Sequence, residues 1–154
     1  MIETIVYQQK ILAILISHLF RKPGAHFFTP HQLSQQLGYM NYSVGKVIEP
    51  HMHNPVPREV QYTQEVLFIR KGKLRVDFYG TQREYLESRI LEAGDTILLA
   101  IGGHGFEVLE DVELFEVKQG PFVGEHDRTR FEGIASDQVK LLHPMSDDGT
   151  YSSQ

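Results

Sequence analysis

With 154 residues, 41% of them hydrophobic and 23% charged, the chain has the composition of one soluble domain whose core folds without disulfides or a structural metal. Twenty acidic residues against fifteen basic ones leave a net charge of −5, so the long-range field repels nucleic acid and anionic membrane surfaces. The absence of cysteine excludes disulfide frameworks, thiolate nucleophiles, iron–sulfur clusters and Cys-rich zinc sites, and any metal must sit on histidines and carboxylates.

The first apolar run, residues 11–20, lacks a small-x-small cleavage site and is too short for a bilayer, which points to a cytoplasmic protein. Ile5, Leu12, Ile16 and Leu19, flanked by Ile11, Leu15 and Phe20, fit a helical period opposite a narrow stripe of Gln9, Ala13, Ser17 and Arg21. The spacing predicts an N-terminal α-helix over about residues 4–21, stopped by Pro23-Gly24, and apolar enough to need cover from its own domain or a second subunit. Beyond it the pattern changes to short or alternating runs broken by Gly, Pro and Asp. Strands are expected at 39–48, 84–91, 95–101, 105–109 and 112–118, and at 65–70 and 74–79 as a hairpin across Lys71-Gly72-Lys73. That regular spacing makes the chain all-β, a sandwich or barrel. Residues 1–143 read as a single domain and 144–154 as a frayed polar tail. The strand Val66-Leu67-Phe68-Ile69 is apolar on both faces, only one of which a single sandwich covers, and with the helix it predicts a homodimer.

The chemistry concentrates at His51-Met52-His53. On extended backbone residues i and i+2 share a face, so two imidazoles stand side by side, the simplest way for a strand to offer a metal two nitrogens. The surrounding spacing is Gly45, five residues, His51-Met52-His53, then Glu65, six residues and Gly72; further on, Gly94 is followed by Ile101-Gly102-Gly103-His104. This pattern resembles the cupins, whose first motif is Gly, five residues, His-x-His, three or four residues, Glu, six residues, Gly. Here eleven residues, 54–64, separate His53 from Glu65, and the second motif is looser, with Ala100 at the family's Pro position and His104 one residue early. Glu59 lies nearer the family's short gap, but Glu65 opens an apolar strand and has the glycine at the matching distance.

The resemblance implies a cupin double-stranded β-helix, or jelly roll, over about residues 39–123, holding one divalent transition metal per chain on His51, His53, Glu65 and His104. Three imidazoles and a carboxylate suit Fe, Mn, Ni, Co or Zn and leave positions open for water or substrate. The 54–64 insert joins two of these ligands, so Arg58 is a candidate substrate clamp and Glu59 and Tyr62 are candidate acid–base groups, while Phe106 is a candidate lining residue. The other reading of the insert is a solvated loop stiffened by Pro55 and Pro57. His18, His26, His31, His126 and His143 have no ligand-spaced partner and read as structural or surface residues. The stretch 112–122 looks like small single-domain cupins of bacterial polysaccharide and sugar-nucleotide metabolism. The expected function is metal-dependent action on a small polar molecule, by a carbohydrate isomerase or epimerase or by a dioxygenase, the alternative being a non-catalytic module that binds a sugar or other small ligand.

Overall fold

The computed structural model describes residues 1–142 and is mostly β. Eight strands follow one another: β1 (Ile2–Tyr7), β2 (Lys10–Ile16), β3 (Gly24–Phe27), β4 (Gly38–Asn41), β5 (Glu65–Tyr79), β6 (Tyr85–Glu92), β7 (Thr96–Leu99) and β8 (Gly103–Lys118), with single-turn 3-10 helices at Gly124–Asp127 and Ser136–Gln138. Contacts divide the chain into two compact units, Arg21–Gln61 and the remainder. The predicted tail, 144–154, lies outside the described residues.

The N-terminal α-helix expected over residues 4–21 is instead the β1–β2 hairpin, with Ile2 opposite Ile16 and Tyr7 opposite Lys10. Its two-residue turn is Gln8-Gln9, both at positive φ (48° and 63°), the backbone that matches the twist of a tight hairpin. Leu12 through Ile16 are all buried, so β2 is covered on both faces. A strand buried on both faces is a continuous apolar run, and periodicity cannot distinguish it from a buried helix.

The larger unit is built on β5. One edge of β5 pairs along its length with β8, from Glu65 opposite Lys118 to Tyr79 opposite Gly103. Its other edge pairs first with β7 (Glu65–Phe68 against Leu99–Thr96) and then with β6 (Lys73–Tyr79 against Glu92–Tyr85). β2 continues the sheet beyond β7, and β1 lies beyond β2. The expected hairpin across Lys71-Gly72-Lys73 is therefore not formed: 65–79 is one strand of 15 residues, and 105–109 and 112–118 likewise merge into the 16 residues of β8. The breaker residues act as paired bulges. The β5–β8 register slips three times between Ile69 and Leu74, and Gly72, at φ +80°, lies so close to β8 that a Cβ there would fall 2.1 Å from the Asp111 carbonyl oxygen. An added residue per bulge bends a strand and strengthens its twist, and here both partners bend together.

The bulge also switches the side chains that face inward. Before Gly72 these are Leu67 and Ile69, after it Leu74, Val76 and Phe78, and all five join Leu12, Leu15, Leu91, Ile97 and Leu99 in one core. The outer face beyond the bend is polar but buried. Arg75 donates to both oxygens of Asp77, at 2.8 and 3.1 Å, and Ser88 donates to the same carboxylate. The C-terminal stretch is tied across this part of the sheet, because the Ile134 and Lys140 N–H groups donate to the Tyr79 and Tyr85 hydroxyls at 2.9 and 2.8 Å.

In the smaller unit β3 and β4 form a hairpin whose connection is held by Thr29 and Gln36, 3.0 Å apart. Of the strand expected at 39–48 only 39–41 pairs; the chain from 42 to 61 has no regular structure. No helix among the described residues is long and apolar enough to cross a membrane.

If the bend depends on Gly72, Gly72→Ala meets both a left-handed φ and the Asp111 carbonyl, and its expected cost exceeds about 2 kcal/mol. Gly105→Ala, where the added Cβ makes an ordinary 3.8 Å contact with Tyr79, is the control and should cost well under half as much. Urea denaturation of the two variants compares them directly, and equal stability would remove Gly72 from its place in the fold.

Candidate functional site

Glu65 opens β5, and His104 sits near the start of β8, opposite Phe78 at the far end of β5. A straight strand would hold positions 65 and 78 roughly 43 Å apart at ~3.3 Å per residue. The sheet curls so far that Glu65 Oε2 lies 3.1 Å from His104 Nε2. Both side chains are mostly buried, at 13% and 30% exposure. The Phe106 ring packs against the imidazole with centroids 5.2 Å apart, and a void of about 30 Å³, room enough for water, lies beside His104 between Thr63, Leu12, Leu99 and Phe78.

A chain of charges extends from this pair. Lys118, directly across the β5–β8 ladder from Glu65, has its Nζ 3.7 Å from Glu65 Oε1 and 2.8 Å from Asp127 Oδ2. The Thr63 hydroxyl donates to the other Asp127 oxygen at 2.9 Å. The hydrogen bond from His104, aided by the charge on Lys118, holds the Glu65 carboxyl below the usual carboxylate range against the opposing pull of partial burial. Lys118 and Thr63 hold the Asp127 carboxyl down in the same way, and Asp127 in turn raises the Lys118 ammonium.

Of the other expected ligands, His51 and His53 stand side by side as the His-x-His spacing predicts, with ring centroids 5.3 Å apart and His51 Nδ1 donating to the Glu49 carbonyl at 3.0 Å. They belong to the smaller unit and are exposed, on irregular extended chain rather than on a strand. The structure thus assembles two pairs of candidate ligands, one in each unit. Among the described residues no group of three or more His, Asp or Glu side chains is placed to hold a metal ion.

Arg58 and Glu59 line an open cleft of the smaller unit with His31, Gln32, Ser34 and Gln36, while Tyr62 is half exposed. Phe106 is 45% exposed and covers His104 rather than joining the core. The His18 and His26 side chains make structural contacts, His18 with Asp95 at 2.9 Å and His26 with the Pro23 carbonyl at 2.7 Å. Sequence reasoning overlooked Thr63, Lys118 and Asp127. Nothing in a linear pattern pairs position 65 with 118; only the β5–β8 register does. No family model, curated protein or solved structure matches the chain.

A carboxylate and a ring nitrogen at 3.1 Å can share a proton or a cation. In the proton-sharing state the depressed pKa of Glu65 stabilises the fold. A carboxylate whose folded pKa is lowered contributes stability that is complete above its unfolded value, about 4.3, and lost as pH falls through the folded one. Wild-type melting temperature should therefore fall on acidification below about pH 5, and Glu65→Gln should flatten that acid limb while leaving the neutral-to-alkaline limb parallel to wild type. An unchanged acid limb in Glu65→Gln would mean that the pair carries no stability.

Proposed function

We propose that the chain binds one divalent transition metal through Glu65 and His104 together with His51 and His53, inside a double-stranded β-helix of the cupin kind, and uses it on a small polar molecule. The observation that carries this reading is the convergence of Glu65 and His104, which lie thirty-nine positions apart in sequence and yet meet at 3.1 Å on a curled sheet. The donor chemistry fits. A carboxylate oxygen and the ring nitrogen of His104, a residue that borders a small cavity, lie 3.1 Å apart, and the paired imidazoles of His51 and His53 are donors of the same class. The curl at a glycine bulge and the single core between the bent halves of the sheet support the jelly-roll reading.

A divalent cation held by these residues would supply Lewis-acid polarisation of a carbonyl or hydroxyl oxygen. The chain's own groups do the rest. Glu65 and His104 would hold the cation as carboxylate and neutral imidazole, with the Phe106 ring packed against the imidazole. On the cupin reading Arg58 would bind an anionic or polar substrate group and Glu59 or Tyr62 would move a proton, giving isomerase or epimerase chemistry or, with O₂ as oxidant, that of a dioxygenase. Without such a proton transfer the same site is a sugar-binding module.

The acidic net charge disfavours nucleic acid and anionic membrane as partners. A homodimer is supported by the outer face of β5 and β8, where Phe68 opposite Phe115, with Val117 beyond them, leaves apolar surface open.

Elemental analysis of the purified protein tests the reading. Close to one transition metal per chain is expected, with most of it lost in Glu65→Ala and His104→Ala and retained in Glu59→Ala. Retention in Glu65→Ala with loss in Glu59→Ala would transfer the carboxylate ligand to the insert.

A further inference from the structure

Among the described residues β8 pairs along one edge only, with β5, so its other edge turns a row of N–H and C=O groups away from the sheet. The comparable edge of β6 is covered by the chain itself: the Ser88 N–H donates to the Lys140 carbonyl at 2.9 Å, and the Leu142 N–H to the Ser88 carbonyl at 3.2 Å. The side chains of β8 are uncovered in the same place. Phe106 and Val108 lie opposite Val76 and Leu74, which belong to the core, and directly opposite residues share a face. They therefore stand on the core side of the sheet, yet they are 45% and 58% exposed, whereas Val112 and Leu114 further along the same strand pack against the core. Over residues 103–111 the apolar layer stops one strand short.

We infer that this open edge of β8, residues 103–111, is a docking site for an extended segment of a partner protein, added as a further strand with apolar side chains against Phe106 and Val108 and Lys or Arg beside Glu107, Glu110 and Asp111. Charge selects the occupant. The stretch has three carboxylates and no Lys or Arg, and the bases that pair with Glu107 and Glu110, namely Arg75 and Lys73, stand on β5, away from the edge. A second copy of β8 would set these carboxylates against one another. The sheet's remaining open edge, β1, carries Glu3 and no Lys or Arg, and residues 144–154 carry Asp147 and Asp148 and no Lys or Arg either. A basic strand complements the edge where these do not. Strand addition of this kind draws affinity from main-chain hydrogen bonds and specificity from alternate side chains. The inference does not depend on whether a metal binds.

Amide exchange of the isotopically labelled full chain, followed by NMR, tests it with three synthetic peptides of about ten residues, the length of a long strand. One alternates Lys and Val, the second has Glu in place of Lys, and the third is the Lys peptide with its central Val replaced by Pro, which cannot donate to a ladder. The Lys peptide should slow exchange of the outward amides within 103–111 and bind at least about tenfold more tightly than either of the others. Val108→Lys and Glu110→Lys, both on exposed positions and checked for folding by circular dichroism, should each weaken it by about tenfold. Equal binding of the Lys and Pro peptides, or protection that falls elsewhere, would reduce the effect to general attraction by an acidic protein and overturn the inference, as would no binding at millimolar peptide. Edge amides protected in the protein alone would also overturn it, in favour of a second copy if the protection rises with concentration and of the chain's own residues if it does not.

Discussion

The close approach of Gly72 to the Asp111 carbonyl is the constraint on which the rest depends. Without a side chain at Gly72, β8 can approach β5 at the bulge to a distance that any Cβ would forbid, and the two longest strands bend there as one ribbon. The bend switches the inward face of β5 from odd to even positions, which is why Leu67 and Ile69 share a core with Leu74, Val76 and Phe78. It also returns the start of β8 to the start of β5, and that return creates the contact between Glu65 and His104. Core and candidate site are therefore two results of one backbone feature.

The site is polar where the core is not, and it is arranged to cost little. The Lys118 ammonium stands between the two carboxylates, and the His104 imidazole meets the second oxygen of Glu65, so each partly buried carboxylate has a polar partner. Apart from the acid-side stability of the ionised Glu65, pairs of this kind largely offset their own desolvation. Their value lies in geometry: these partners fix the direction of each carboxylate oxygen. A second polar group, Arg75 with Asp77 and Ser88, stands on the opposite face of the same ribbon beyond the bend and is fully buried. It is tied to the C-terminal stretch through Tyr85, whose hydroxyl hydrogen-bonds Ser88 Oγ at 2.8 Å and accepts the Lys140 N–H.

Much of this was legible in the sequence. Glycine spacing and apolar alternation marked the strands that became β5 to β8, and the separation of Glu65 and Gly72 singled out the carboxylate that meets His104. The failures have physical causes. The run through Leu12 to Ile16 is buried on both faces, which erases the alternation that identifies a strand, and Gln8-Gln9 is not a turn dipeptide that sequence rules recognise. Lys71-Gly72-Lys73 and Glu110-Asp111 were legible as breaks but not as bulges, because a glycine that turns a chain and one that lets a neighbouring strand approach look alike in one dimension. The link of Thr63, Asp127 and Lys118 to Glu65 was invisible because it exists only through the register of two strands and the turn that follows them.

The return of the bent ribbon on itself is the claim from which everything else follows, and it is open to a direct measurement. In the NMR spectrum of the isotopically labelled protein at neutral pH, the His104 ring protons should show nuclear Overhauser contacts to the Glu65 side-chain methylenes, alongside those of the ordinary β5–β8 ladder such as Phe78 with His104. Ladder contacts at both ends of the ribbon with none between Glu65 and His104 would mean that the strands pair but do not fold back, and would contradict the account.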